Sequence, residues 1–195
     1  DSSVKIGHFY TIIGNEVVTA PQNFFVTHAY TMQYGEPFTH TGALGSWAYS
    51  DTTTIMAGYT MGWDSGFDNL NDANTFLGGI TTELSDAMSV AWTVSFGDQG
   101  FDQVTGAPLG DVYLNSLVLS TQLTPTLSSV ILSDMGRVTN LGAGDHEWYS
   151  AVGYLFLELN DRWSIGTRTE WFQDTSGNRI NAEGGGIGGM VNRGA

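Results

Sequence analysis

From Ala87 to Gly97 the chain alternates without a break. The even positions are Met88, Val90, Trp92, Val94 and Phe96, and the odd positions are Ala87, Ser89, Ala91, Thr93, Ser95 and Gly97. Successive side chains of a β-strand point to opposite faces, so this segment makes one wholly apolar face and one small or polar face. A tilted strand of about ten residues matches the hydrocarbon thickness of a bilayer. Runs of similar length and low charge recur along the chain, which a soluble sheet rarely does. The pattern predicts an all-β, antiparallel transmembrane β-barrel, or a large piece of one.

About ten strands are expected. They run Val4 to Ile13, Asn23 to Gln33, Thr39 to Tyr49, Thr53 to Trp63, Thr75 to Glu83, Ala87 to Gly97, Asp111 to Gln122, Thr126 to Met135, Glu147 to Glu158 and Arg162 to Phe172. Their connections alternate. Ser50-Asp51-Thr52, Leu84-Ser85-Asp86, Leu123-Thr124-Pro125 and Leu159-Asn160-Asp161 are tight. Asp64 to Asn74, Asp98 to Gly110 and Gly136 to Asp145 are long. Short turns at one end and long loops at the other are the bacterial outer-membrane arrangement, with the long loops outside. Asp64-Ser65-Gly66-Phe67-Asp68 is echoed by Asp98-Gln99-Gly100-Phe101-Asp102, which suggests repeated hairpins. The whole of 1–195 reads as one domain or a fragment of one, with a Gly-rich loop or tail over 173–195.

Six Lys and Arg stand against twenty Asp and Glu, a formal net charge of −14. That balance argues against nucleic acid, whose phosphates it would repel. Without cysteine there is neither a disulfide scaffold nor thiol chemistry. No run of eighteen apolar residues exists, so a membrane-spanning helix is not expected and membrane residence would require a closed barrel. The chain enters a strand pattern at Val4 with no secretory signal ahead of it, which reads as a processed chain or a fragment.

Individual residues suggest roles. On the last strand Trp163, Ile165, Thr167, Thr169 and Trp171 share one face, and Arg162, Ser164, Arg168 and Glu170 the other. A Trp at each end of the apolar face suits the two aromatic girdles of a membrane barrel. Trp63, Trp92, Trp163 and Trp171 are therefore expected at the membrane interface. Arg162, Arg168, Glu170 and Lys5 are expected to line the pore, where such charges either tune ion selectivity or form a stiffening ladder. The loop holding Asp64, Asp68, Asn69, Asn71 and Asp72 offers hard oxygen ligands for calcium, but its spacing is not that of an EF-hand, and a solvated turn-rich loop is the plainer reading. No other cofactor is expected. Asp145-His146-Glu147 alternates sides on a strand, so at most two of its members face one site. No convergent nucleophile, base and orienter stands out, so the chain is not expected to be an enzyme. The eighth and ninth strands alternate poorly, and His8 and His28 fall on apolar-looking faces.

Three segments carry a family resemblance. They are Val4-Lys5-Ile6-Gly7-His8-Phe9-Tyr10-Thr11-Ile12-Ile13-Gly14-Asn15-Glu16, then Ala20-Pro21-Gln22-Asn23-Phe24-Phe25, then Tyr34-Gly35-Glu36-Pro37-Phe38-Thr39-His40-Thr41-Gly42. Gly62-Trp63-Asp64 with its Asp/Asn-rich loop adds to them. Together they resemble the OmpL-like β-barrel porins of planctomycetes and other Gram-negative bacteria, over roughly the first hundred residues. The resemblance implies an outer-membrane barrel acting as a porin, in a family whose members are typically about twice this long. It brings no catalytic residues with it.

The expected function is passive diffusion of ions and small solutes, with cations favoured by an acidic lumen. The alternative is a plugged structural or adhesive outer-membrane barrel with acidic, calcium-binding surface loops. A soluble carbohydrate-binding sandwich ranks below both, because its outer faces would carry more charge and its edges would need protection. Expected partners are outer-membrane lipid and small solutes or cations, with a homo-oligomer such as a trimer, or other surface proteins, left open.

Overall fold

The computed structural model describes residues 1–69, 71–102, 104–139, 144–175, 177, 179 and 180. Nine strands form one antiparallel meander in which each strand pairs with the next. They are β1 (Ser2–Tyr10), β2 (Thr39–Ala48), β3 (Thr53–Thr60), β4 (Asn74–Ser85), β5 (Met88–Asp98), β6 (Asp111–Thr124), β7 (Leu127–Thr139), β8 (His146–Asn160) and β9 (Trp163–Asp174). Among the described residues β1 and β9 do not pair with each other, so the wall is an open part of a barrel.

The tight turns lie where the sequence places them, and each is opened by a small polar side chain. Ser50, Ser85, Thr124 and Asn160 accept hydrogen bonds from the backbone amides of Thr52, Ala87, Thr126 and Arg162, respectively, each two residues ahead. Such residues favour turns because they offer the backbone a local partner. At the opposite end the connections are long, and the longest, residues 11–38, turns inward.

The outer face of the sheet is more apolar than a water-facing one. On β5 Met88, Trp92 and Phe96 of the apolar set are exposed and Val94 is 9% exposed, whereas Thr93 and Ser95 of the small polar face are buried. Neighbouring strands continue the outer face in register. Tyr59, Phe76, Phe96 and Tyr113 form one cross-strand aromatic row near the long-loop end, with the Phe76 and Phe96 rings stacked at 4.9 Å.

The inner faces converge. Phe9 of β1, Leu44 of β2, Leu77 of β4, Val112 and Leu114 of β6, Val138 of β7 and Trp148 of β8 share one buried cluster with Ile13. Strands that are not neighbours can meet in this way only if the sheet curls around them.

Trp148 shows how closely this interior is built. It is fully buried and stands across from Gly136, where a Cβ would lie 1.9 Å from its ring. Its indole N–H donates to the Gly35 carbonyl at 3.1 Å. Gly136→Ala should therefore cost about 1–3 kcal/mol through overpacking, seen as an earlier midpoint in denaturant titration of the detergent-folded protein.

Three strand expectations are corrected. The predicted strand over Asn23–Gln33 does not form. Asn23 instead closes a loop with its side chain, accepting from the Val17 amide and donating to the Val17 carbonyl. The chain then makes a π-type turn over Thr31–Gly35. The apparent apolar alternation there belongs to rings packed on the wall. Phe24 and Phe25 meet edge to face at 5.1 Å, and both lie against Phe156 of β8. The first strand ends at Tyr10, and Ile12 and Ile13 enter the core. The strand expected to reach Trp63 ends at Thr60, because Gly62 at φ +88 turns the chain. Of the Gly-rich loop or tail expected over 173–195, residues 173 and 174 belong to β9 and 181–195 lie outside the described residues.

Candidate functional site

The concave face of the wall and the segment 11–38 resting on it, hereafter the inlay, form the candidate site. Two acidic side chains fasten the inlay. Glu16 is buried, and its Oε1 accepts from Arg168 of β9 and from the Tyr154 hydroxyl of β8, both at 2.9 Å. Its Oε2 accepts from the Ala29 amide and contacts His28 Nδ1, both at 3.0 Å. Arg168 also donates to the carbonyls of Thr27 and His28, and its guanidinium lies over the Phe25 ring at 5.1 Å. Glu170, on the same face of β9, accepts from the amides of Tyr30 and Thr31 and from the Thr31 hydroxyl at 2.7–2.8 Å. Apolar contacts complete the seat, where Ala29 is buried with Val118, Leu132, Val152 and Tyr154.

The inlay's other acidic group faces a different environment. Glu36 is 3% exposed and Asp134 of β7 is 2% exposed. None of their four carboxyl oxygens has a hydrogen-bond partner among the described residues. Asp134 sits in a cross-strand inner row between Ser116 of β6 and Ser150 of β8, whose hydroxyls are likewise unpaired. Burial first, and then the adjacent Asp134 carboxyl, hold the Glu36 carboxyl well above the usual carboxylate range.

The expected site residues divide. Arg168 and Glu170 do face inward, held by the inlay. Lys5 shares the inner face of β1 with Phe9 and lies 5.5 Å from its ring. Arg162 does not line the interior. It sits exposed in the turn between β8 and β9, because β9 begins only at Trp163. Trp92, Trp163 and Trp171 stand on the outer face at 41, 69 and 54% exposure. Trp63 does not: past Gly62 its indole points inside, donating to Ser95 Oγ at 3.0 Å and meeting Trp148 edge to face.

Two of the proposed calcium ligands accept from backbone amides, Asp64 from those of Phe38 and Thr39 and Asn69 from that of Ala73. Asp64, Asn69 and Asp72 all adopt positive φ, and the Asn71 carbonyl accepts from the Phe101 amide of the echoing loop. Asp68 is exposed. Among the described residues no group of three or more acidic or imidazole side chains gathers as a metal site.

The two histidines also find places. His8 bonds Thr41 at 2.8 Å near the long-loop end of β1, and His28 belongs to the Glu16 cluster.

The burial of Glu16, Glu36 and Asp134 is not foreseen from the sequence. The signal for Asp134 is an acid that follows seven uncharged strand residues, Leu127 to Ser133. The signal for Glu36 is an acid held between Gly35 and Pro37.

The family model described as "Putative beta-barrel porin-2, OmpL-like" matches residues 1–194. The chain belongs to this family. Comparison with curated proteins and with solved structures returns no match. Membership agrees with the apolar outer face, and a membrane location goes with the family. It also extends the match well past the first hundred residues, where the sequence resemblance is most literal.

Proposed function

We propose that the chain forms the wall and the internal constriction of an outer-membrane porin, through which ions and small solutes diffuse passively. The observation that carries this reading is the row of large apolar side chains exposed on the outer face. A continuous apolar outer face suits lipid, and a closed barrel alone satisfies a membrane-spanning sheet's backbone. The inlay narrows the space behind that wall, so the solutes are small. Inward-facing Glu16, Glu36, Asp134 and Glu170 outnumber inward-facing Lys5, Arg168 and Arg179, which favours cations. No chemistry beyond passage is assigned, and the loop acids serve as a cation-attracting mouth.

The testing experiment is single-channel recording of the full-length protein in a planar bilayer. Stable steps with a reversal potential shifted toward the cation equilibrium value are expected. Confirmed insertion without steps would overturn passage and leave a plugged structural barrel. That second reading has its own support, since the inlay is tied down by Glu16 and Glu170 on several contacts at once.

A further inference from the structure

The inlay is held on the wall by two kinds of contact. Glu16 and Glu170 each face donors, with Arg168 on the first and the Tyr30 and Thr31 amides on the second. Glu36 has no such donor. Opposite it stands another carboxyl group, Asp134, and the two are both enclosed. Gly14, at φ +79, packs against the Glu36 carboxyl so closely that a Cβ there would lie 2.2 Å from Oε2. The space therefore suits a proton between the carboxyl groups better than a metal ion with its six to eight oxygens.

Two enclosed carboxylates without a cation repel each other and lose their hydration. A single shared proton removes both difficulties, turning one group into a donor and the other into its acceptor. The charged groups that act on Glu36 are all acidic: Asp134 from β7, Glu16 from the inlay and Glu170 from β9. Ser116 of β6 and Ser150 of β8 flank Asp134 with hydroxyls, which can donate but carry no charge. Arg168 and His28 on the inlay's seat are engaged by Glu16, and Arg179 donates to the Tyr34 carbonyl and lies over the Trp148 ring at 4.9 Å.

We propose that Glu36 and Asp134 share one proton and so act as a latch between inlay and wall, released when that proton is lost. The sign follows from linkage. The docked state binds a proton that the undocked state, with its carboxyls in water, gives up near ordinary carboxylate values. Docking is therefore strongest at acidic pH and weakens as pH rises through the raised Glu36 value. The latch needs no conducting pore, so its failure and that of the porin reading are separate results.

The test is a spin-label distance between the inlay and the turn end of the full-length protein in detergent or lipid. The chain has no cysteine, so Gln33→Cys with Asp86→Cys, both exposed, gives one labelled pair. Between about pH 5 and about pH 9 the undocked population should rise by up to tenfold per pH unit, the slope of a single proton. Glu36→Gln with Asp134→Asn, which supplies a permanent amide donor, should abolish that slope. A wild-type distance distribution that does not change with pH overturns the latch. So does an unchanged slope in the double variant, which would assign the response to the Glu16, His28 and Arg168 cluster instead. The wild-type series decides even if the double variant does not fold.

Discussion

Leu117→Arg should prevent the protein from refolding stably into lipid vesicles. Leu117 lies on the outer face of β6, 45% exposed, across from Trp92 of β5 and Ser133 of β7. In a water-facing sheet an exposed leucine can become arginine at a cost of within about 0.5 kcal/mol. On a lipid-facing strand the same change places a guanidinium in hydrocarbon, at about 2–4 kcal/mol near the midplane. The measurement is the fraction of chain that becomes heat-modifiable on gels after refolding into vesicles, with Leu117→Ile as the control. Equal refolding of the Arg and Ile variants would mean that this face does not meet lipid.

Glu16→Ala should free the inlay while leaving the wall intact. The substitution removes the acceptor for Arg168, Tyr154 and the Ala29 amide at once, and deprives His28 of its carboxylate. Arg168 keeps its bonds to the Thr27 and His28 carbonyls but loses its counter-charge in a site where its side chain is only 16% exposed. Removing one partner of a buried pair costs about 3–5 kcal/mol, and here it falls on docking rather than on strand pairing. Limited proteolysis should then cut within residues 17–30 in the variant and not in the wild type, with unchanged heat-modifiable migration. In planar bilayers the same variant should pass more current per step. A protected inlay in Glu16→Ala would show that the apolar seat around Ala29 suffices by itself.

The inlay also explains where sequence reasoning lost precision. The alternation on β5 is legible because its inner face meets small polar groups and its outer face is apolar. On β7 and β8 the inward positions Leu132, Val138, Trp148 and Val152 are themselves apolar, because they pack against the inlay and the core beneath it. Both faces then look alike, and the period of two fades. The same cause produces the false strand at Asn23–Gln33, where rings seated on a wall read like rings on a strand. Arg162 and Trp63 were misplaced by one turn boundary and one glycine. A shift of that size moves a side chain from one face to the other.

By itself the sequence determined the class of architecture, the direction in which each clear strand faces, and the alternation of tight turns with long connections. These are local properties, set by a period of two and by turn residues that bond their own backbone. Only the tertiary structure decided that residues 11–38 fold into the concave face. It also brought Glu16 to Arg168 and Glu36 to Asp134. Those pairs are separated by 152 and 98 positions in the chain. No local pattern encodes such a meeting; the curl of the sheet creates it, and burial then gives each charge its partner or leaves it waiting for a proton.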